Sequence, residues 1–359
     1  MANKIRVIRE GVDLGMTLLD SGDAYEGGHA EEILGRAIRG IRGNVWVCTK
    51  FEPERSHYRG VFESVEASLK RLRTDYIDLY QAHWPIPSEI PMAETMGALS
   101  ALADQGKIRF IGVCNWSPDE IVAANALLEN HSIVSVQTEY NLLNKTFELD
   151  LQPFCRENEI TTFAYSIFNQ GNLSLAGHEA IERICRDRGL TPHQVIIAWV
   201  LSTPGVAPIL RTNNPHHNQA NVAVLNVRLD AEELRGLDRM FPREPSMVDV
   251  SEIEVLNHDV DDTHPIYTTL DQALSNRLGL KPSPEEIAEE FRSGRSIRPV
   301  ELIAGPSGGG PKYLLLHGRL RYWGWVIAHS GRKPIPAFIL HRQSGRAAQG
   351  PLATHGRRQ

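Results

Sequence analysis

Short apolar strands alternating with amphipathic helices predict an α/β fold, a β/α barrel, followed by a smaller α+β domain. Three observations carry this prediction. The strand–helix rhythm runs unbroken from residue 3 to about residue 241. No Gly-x-Gly-x-x-Gly follows a strand, which argues against an open dinucleotide-binding sheet. Asp20, Lys50, His83 and Asn115 stand at successive strand ends, where a TIM-type barrel carries its chemistry.

In chain order, Ile5, Ile8 and Val12 fall at helical spacing, and Gly15 can end that helix. The predicted strands are 16–20, 45–50, 77–82, 108–113, 133–137, 161–165 and 206–210. The predicted helices between and after them are 31–39, 58–72, 91–105, 118–130, 149–158, 178–188, 191–202, 216–224 and 231–240. Strands joined through helices pair in parallel by right-handed crossovers. The count is seven strands rather than eight, so the barrel is expected to lack its first strand and to leave two unpaired edges.

Beyond Phe241 the rhythm breaks. Residues 242–247 read as a linker, and 248–340 as a compact α+β domain. Its predicted elements are strands at 248–250, 300–303, 312–316 and 335–340, with helices at 284–292 and 317–329. The tail 341–359, rich in Arg, Gln and Gly, has no apolar periodicity and is expected to be disordered.

Composition narrows the function. A charged fraction of 23% and a hydrophobic fraction of 42% are those of an ordinary soluble protein. A net charge of -6 argues against a general nucleic-acid surface. No apolar run approaches the roughly 20 residues that span a bilayer. Four scattered cysteines, without metal-ligand spacing, read as reduced thiols of a cytoplasmic protein.

Proton transfer to a carbonyl oxygen needs an acid tuned toward the working pH. A tyrosine suits once a lysine ammonium stabilises its phenolate, a carboxylate keeps that lysine charged, and a histidine orients the carbonyl. Tyr25, Lys50, Asp20 and His83 fit those roles. Taken singly, a strand-end aspartate is as readily a helix cap and a lysine a surface charge; the weight lies in all four recurring at successive strand ends.

Leu19-Asp-Ser-Gly-Asp-Ala-Tyr25 and Gly28-His-Ala-Glu-Glu-Ile-Leu-Gly35 resemble the aldo-keto reductase signature. Asp75-Tyr-Ile-Asp-Leu-Tyr-Gln-Ala-His83, Gly106-Lys-Ile-Arg-Phe-Ile-Gly-Val-Cys-Asn115 and Val136-Gln-Thr-Glu-Tyr-Asn141 continue it, as do Ala164-Tyr-Ser166 and Pro208-Ile-Leu-Arg-Thr212. The resemblance implies a barrel that passes hydride from NADPH or NADH to an aldehyde or ketone. By position it makes Tyr25 the acid, with Lys50 and Asp20 tuning it and His83 orienting the substrate. It places Asn115 and Gln137 at the nicotinamide carboxamide, with Tyr165 and Ser166 beside the ring. Arg211 and Thr212 fall at the phosphates, where a helix N-terminus favours an anion, and Asn221 at the adenine. Cys114 stands where serine is usual, His217 where NADPH-binding members often carry arginine, and Ala220 where glutamate is usual, so both dinucleotides stay open. Trp84 and Trp116 either line the pocket or pack its rim, and loops 84–92 and 167–177 are expected to set the substrate.

Residues 247–340 resemble the ParB/sulfiredoxin-like domain through a Gly-x-x-Arg box at a strand-to-helix turn. That resemblance implies phosphate binding by Gly318, Arg319 and Arg321, with ATP or CTP as the candidate ligand. The segment has no cysteine for thiol chemistry, and Gly308–Gly310 lacks the Gly-Lys-Ser/Thr of a phosphate loop. Trp323 and Trp325 read as packing residues. Three functions follow: a carbonyl reductase without metal, acting on a small molecule; a nicotinamide-sensing regulatory protein; or nucleotide binding and phosphotransfer by the second domain. Oligomeric state is not legible.

Overall fold

The computed structural model describes residues 1–87, 89–169, 178–240, 245–255, 267–280, 282–293, 297, 299–305 and 311–340. The chain forms two compact units, Met1–Leu175 with Ile181–Arg235, and Ala176–Ala180 with Gly236–Gln359.

The first unit opens with α1 (Ala2–Asp13), then β1 (Leu18–Asp20), α2 (His29–Ala37), β2 (Trp46–Phe51), α3 (Tyr58–Leu72) and β3 (Ile77–Ala82). It continues with α4 (Met92–Asp104), β4 (Ile108–Cys114), α5 (Pro118–Asn125), β5 (Ile133–Glu139), α6 (Leu151–Glu157) and β6 (Thr161–Tyr165). The last elements are α7 (Glu179–Arg188), α8 (Pro192–Leu201), β7 (Val206–Pro208), α9 (Pro215–Val222) and α10 (Ala231–Met240), of which the first two residues of α7 and the last five of α10 count with the second unit. The strands form one parallel sheet in the order β1-β2-β3-β4-β5-β6-β7. Among the described residues β1 pairs only with β2 and β7 only with β6, so the sheet keeps two edges. It nonetheless curls. Leu18 of β1 and Ala207 of β7, at opposite edges, pack on one interior cluster of Cys48, Leu79 and Phe163.

Local chemistry explains most boundaries. Ser117 with Glu120, and Thr191 with Gln194, form capping boxes, each with proline at the first helical position. β3 is buried along its whole length, as expected for a parallel strand covered on both faces. The first strand begins at Leu18 rather than Met16 because the amides of Met16 and Thr17 bond back to Gly11 and Gly15, closing the end of α1. α5 stops at Asn125, five residues short of expectation, because the Asn125 side chain turns to accept the Ile133 amide at 2.9 Å.

The second unit contains β8 (Ser246–Val248), β9 (Ile253–Val255), α11 (Leu270–Leu274), α12 (Pro284–Arg292), β10 (Val300–Ala304), β11 (Tyr313–His317), α13 (Arg319–His329) and β12 (Ile335–Leu340). Its sheet runs β8-β12-β10-β11-β9, with β10–β12 and β11–β9 parallel and the other pairs antiparallel. Val300, Leu302, Leu315, Ile335 and Ala337 pack against Tyr322 and Trp323 of α13. Trp323 Nε1 donates to the Tyr267 carbonyl at 2.8 Å, and Trp325 stacks edge-on against Phe291, so both tryptophans pack.

The sequence misplaced the start of this unit. The expected strand at 248–250 lies earlier, at Ser246–Val248, so the last two residues of the expected linker are extended. Asp249 accepts the Ser251 amide and turns the chain at Val250–Glu252 before β9. β9 and α11 were not expected: three and five residues are too short to show periodicity. Residues 241–244 of the linker region and the tail 341–359 lie outside the described residues. Among the described residues no helix is long and apolar enough to cross a membrane.

Candidate active site

The C-terminal ends of β1, β2 and β3 bring Asp20, Lys50 and His83 to one mouth of the sheet, and the turn after β1 adds Tyr25. Lys50 is fully buried. Its Nζ donates to Asp20 Oδ1 and Oδ2 at 2.8 and 2.7 Å and to the Ser21 carbonyl at 2.6 Å. All three of its protons are thereby engaged. Burial alone would push the Lys50 ammonium down, but the Asp20 carboxylate holds it above its ordinary range.

Lys50 Nζ lies 5.0 Å from the centre of the Tyr25 ring. Tyr25 Oη stands 3.3 Å from His83 Nε2, with the two rings edge to face. Burial pushes the Tyr25 phenol above its ordinary value of 10.0, the Lys50 ammonium pulls it down, and Asp20 raises it again. The expected lowering does not emerge, because burial of the phenol outweighs the pull of the Lys50 ammonium and the Asp20 carboxylate adds to the rise.

Glu52 escaped the sequence reasoning. Its Oε1 meets His83 Nδ1 at 2.5 Å. No motif marks it: it stands one residue past β2 and reaches His83 only because β2 and β3 are neighbours. Asp23, between Asp20 and Tyr25, also gave no signal; burial with Glu52 and Glu31 nearby pushes its carboxyl up to about 6.

A cavity of about 960 Å³ opens beside this cluster. It is lined by Asp20, Tyr25 and His83, and also by Asn115, Gln137, Tyr165, Ser166, Arg211, Thr212 and Asn221. Lys50 is not part of the lining and stays behind the wall. Several lining groups are already tied together. Gln137 Nε2 donates to Asp20 Oδ1 at 2.9 Å, and Tyr165 Oη donates to Asn115 Oδ1 at 2.8 Å. Asn115 and Ser166 hold positive φ angles of 63° and 51°, turning the chain sharply as it leaves the sheet. Thr212 Oγ1 lies 3.0 Å from His217 Nδ1, just before α9. The exposed Arg211 guanidinium approaches Glu26 at 4.0 Å, and Glu26 also pairs with Lys4.

Trp84 is half-exposed and lines the cavity, whereas Trp116 is buried and packs. The expected substrate loops are described only in part, since 88 and 170–177 lie outside the described residues. The donor set suits a dinucleotide: the Asn115 and Gln137 amides, the Tyr165 ring, the Arg211 guanidinium and Thr212 all line the one cavity.

In the second unit, Gly318 takes a φ of 93° at the turn between β11 and α13. Arg321 Nη1 donates to the Pro299 carbonyl at 3.2 Å, and Arg319 opens the helix.

The aldo/keto reductase family model matches residues 1–241. Methylglyoxal reductase YeaE of Escherichia coli (strain K12) is 34% identical over 242 residues, covering 67% of this chain and 84% of that protein. Probable aldo-keto reductase 1 of Glycine max is 31% identical over 277 residues, with 66% of this chain and 79% of that protein covered. A crystal structure of an aldo-keto reductase from Klebsiella pneumoniae in complex with NADPH aligns with a TM-score of 0.64 at 35% identity, over 67% of this chain and 85% of that one. On its sequence and on its sheet of parallel strands, the chain belongs to the aldo/keto reductase family of NAD(P)-dependent oxidoreductases.

Proposed function

We propose that the first unit reduces an aldehyde or ketone to an alcohol with NADPH, Tyr25 giving the proton. The observation that carries this reading is the meeting of Tyr25, His83 and the Lys50–Asp20 pair at the mouth of one large cavity. A dinucleotide held there supplies the hydride. The amides of Asn115 and Gln137 suit its carboxamide and the Tyr165 ring its nicotinamide. Arg211, Thr212 and the start of α9 suit its phosphates, Ser166 the ring's edge and Asn221 the adenine.

Tyr25 gives its hydroxyl proton to the carbonyl oxygen as negative charge develops there. The Lys50 ammonium behind the ring stabilises the phenolate left behind, and Asp20 keeps that ammonium charged. His83 faces the same hydroxyl and orients the incoming oxygen. Because Gln137 and Asn115 now bond to Asp20 and Tyr165, cofactor binding has to share or exchange those bonds.

The test is titration of the purified protein with NADPH and NADH, followed by a carbonyl panel that includes methylglyoxal. Tyr25→Phe should lower kcat by about 10²- to 10⁴-fold while NADPH still binds. Full turnover by Tyr25→Phe would overturn the reading. Binding without turnover in the parent protein would favour a nicotinamide-sensing regulatory role.

A second reading concerns the other unit. Gly318 in the left-handed region, opening a helix beside Arg319 and Arg321, suits a phosphate of ATP or CTP in a ParB/sulfiredoxin-like domain. Nucleotide binding that weakens in Arg321→Ala is expected, and no binding by the parent chain would remove it.

A further inference from the structure

Glu52 and His83 are carried by adjacent strands whose ends are pinned together, the His83 amide donating to the Phe51 carbonyl at 3.0 Å. Glu52 Oε1 then sits 2.5 Å from His83 Nδ1. An ionised carboxylate has no proton to give, so Nδ1 is the donor. With Nδ1 held on Glu52 the ring turns Nε2 toward the cavity, and Tyr25 Oη lies 3.3 Å from that atom. The ring is flanked by Trp84, stacked at 6.1 Å, and by the edge-to-face Tyr25 ring at 5.4 Å. Neither aromatic contact distinguishes the nitrogen edge of the imidazole from its carbon edge. Turning the ring by half a revolution about χ2 would point Cε1 at the tyrosine and break the bond. The Glu52 contact is what separates those two orientations.

Resting on the reductase reading above, we propose that Glu52 is a positioning residue for His83. It fixes the ring's orientation and its protonated nitrogen, and so holds Nε2 on the Tyr25 hydroxyl. Glu52 touches neither Tyr25 nor the carbonyl position; it acts through His83. The side chains differ in access, Glu52 being 31% exposed and His83 15%, so Glu52 can be replaced with little disturbance of the interior.

The experiment uses the full chain with Glu52→Ala, Glu52→Gln and Glu52→Asp, with histidine labelled by ¹⁵N. Glu52→Ala should lower kcat by about tenfold or more while NADPH affinity, read by fluorescence, stays near that of the parent. The downfield Nδ1–H resonance, assigned by its absence in His83→Ala, should disappear in Glu52→Ala. Glu52→Gln retains an acceptor oxygen and should recover both the resonance and part of kcat. In a His83→Ala background, Glu52→Ala should cause no further loss. Parent-like kcat in Glu52→Ala, a retained resonance, or an independent loss in the His83→Ala background would each overturn the assignment. Failure of the reductase reading looks different: Tyr25→Phe would then turn over at the parent rate. Where the parent reduces no carbonyl tested, the resonance alone decides.

Discussion

Lys50 Nζ donates to both carboxylate oxygens of Asp20 and to the Ser21 carbonyl, so the ammonium beneath Tyr25 is held on its counter-ion. Removing one partner of such a buried pair leaves an uncompensated charge. Asp20→Ala should therefore destabilise the first unit by about 3–5 kcal/mol in denaturant unfolding, and should suppress turnover. The double variant Asp20→Ala, Lys50→Met should regain most of that stability without regaining activity. Additive losses in the double variant would show that the pair does not act as a unit.

Much of this arrangement was legible in the sequence, because a parallel barrel writes its site at strand ends in chain order. Asp20, Lys50 and His83 were found for that reason, and the structure brings them within reach of Tyr25. What escaped depends on three-dimensional neighbours. Glu52 lies past a strand end, and only the β2–β3 pairing gives it His83. Gln137 was placed by resemblance at the carboxamide, yet its amide rests on Asp20, 117 residues away. In the second unit, β9 exists because β11 offers it a backbone edge, and three residues carry no pattern that announces this.

Asp23 gives a pH-dependent prediction. Burial, with the charges of Glu52 and Glu31, pushes its carboxyl up to about 6 from 3.8. The folded protein thus keeps this proton to higher pH than the unfolded chain does. The stability that the proton contributes is fully present below the unfolded value and is lost as pH rises through about 6. Asp23→Asn removes that loss. Solvent over the exposed part of the carboxyl screens the effect to about 1–2 kcal/mol. Thermal melts should show the variant more stable than the parent at pH 7.5, with the gap closing as pH falls toward 4. An equal gap at every pH would refute the assignment.

The buried carboxylate of Asp78 lies on β3. Asp78 accepts the Val47 amide at 2.9 Å, Arg42 Nη2 at 2.7 Å and Arg109 Nη1 at 2.8 Å. The two guanidinium groups enclose the Tyr76 ring at 3.9 and 4.0 Å. Asp78→Ala strands a backbone amide and takes the counter-ion from both arginines, Arg42 keeping its bonds to Thr74, Val45 and Tyr76, and should lower stability by about 2–4 kcal/mol. Tyr76→Leu should lower it by about 1–2 kcal/mol through the two cation–π contacts. Because Asp78 is remote from the cavity lining, NADPH affinity of the folded variants should match the parent, and a large change in that affinity would argue against a purely structural role.

Gly35 separates packing from helix propensity. It lies inside α2, where replacing glycine with alanine ordinarily stabilises by about 0.5–1 kcal/mol. Here a Cβ would stand 2.4 Å from the Leu72 carbonyl oxygen and 2.6 Å from its carbon, at the end of α3. Those are backbone atoms, which no rotamer change can move aside. Gly35→Ala should therefore destabilise by about 1–3 kcal/mol, opposite in sign to the propensity effect. Gly40→Ala tests a different strain: its φ of 81° disfavours any side chain although nothing lies within 4 Å of its Cβ. It too should destabilise, with α2 and α3 still packed as in the parent. A stabilised Gly35→Ala would mean that the two helices sit farther apart in solution than the 2.4 Å approach implies.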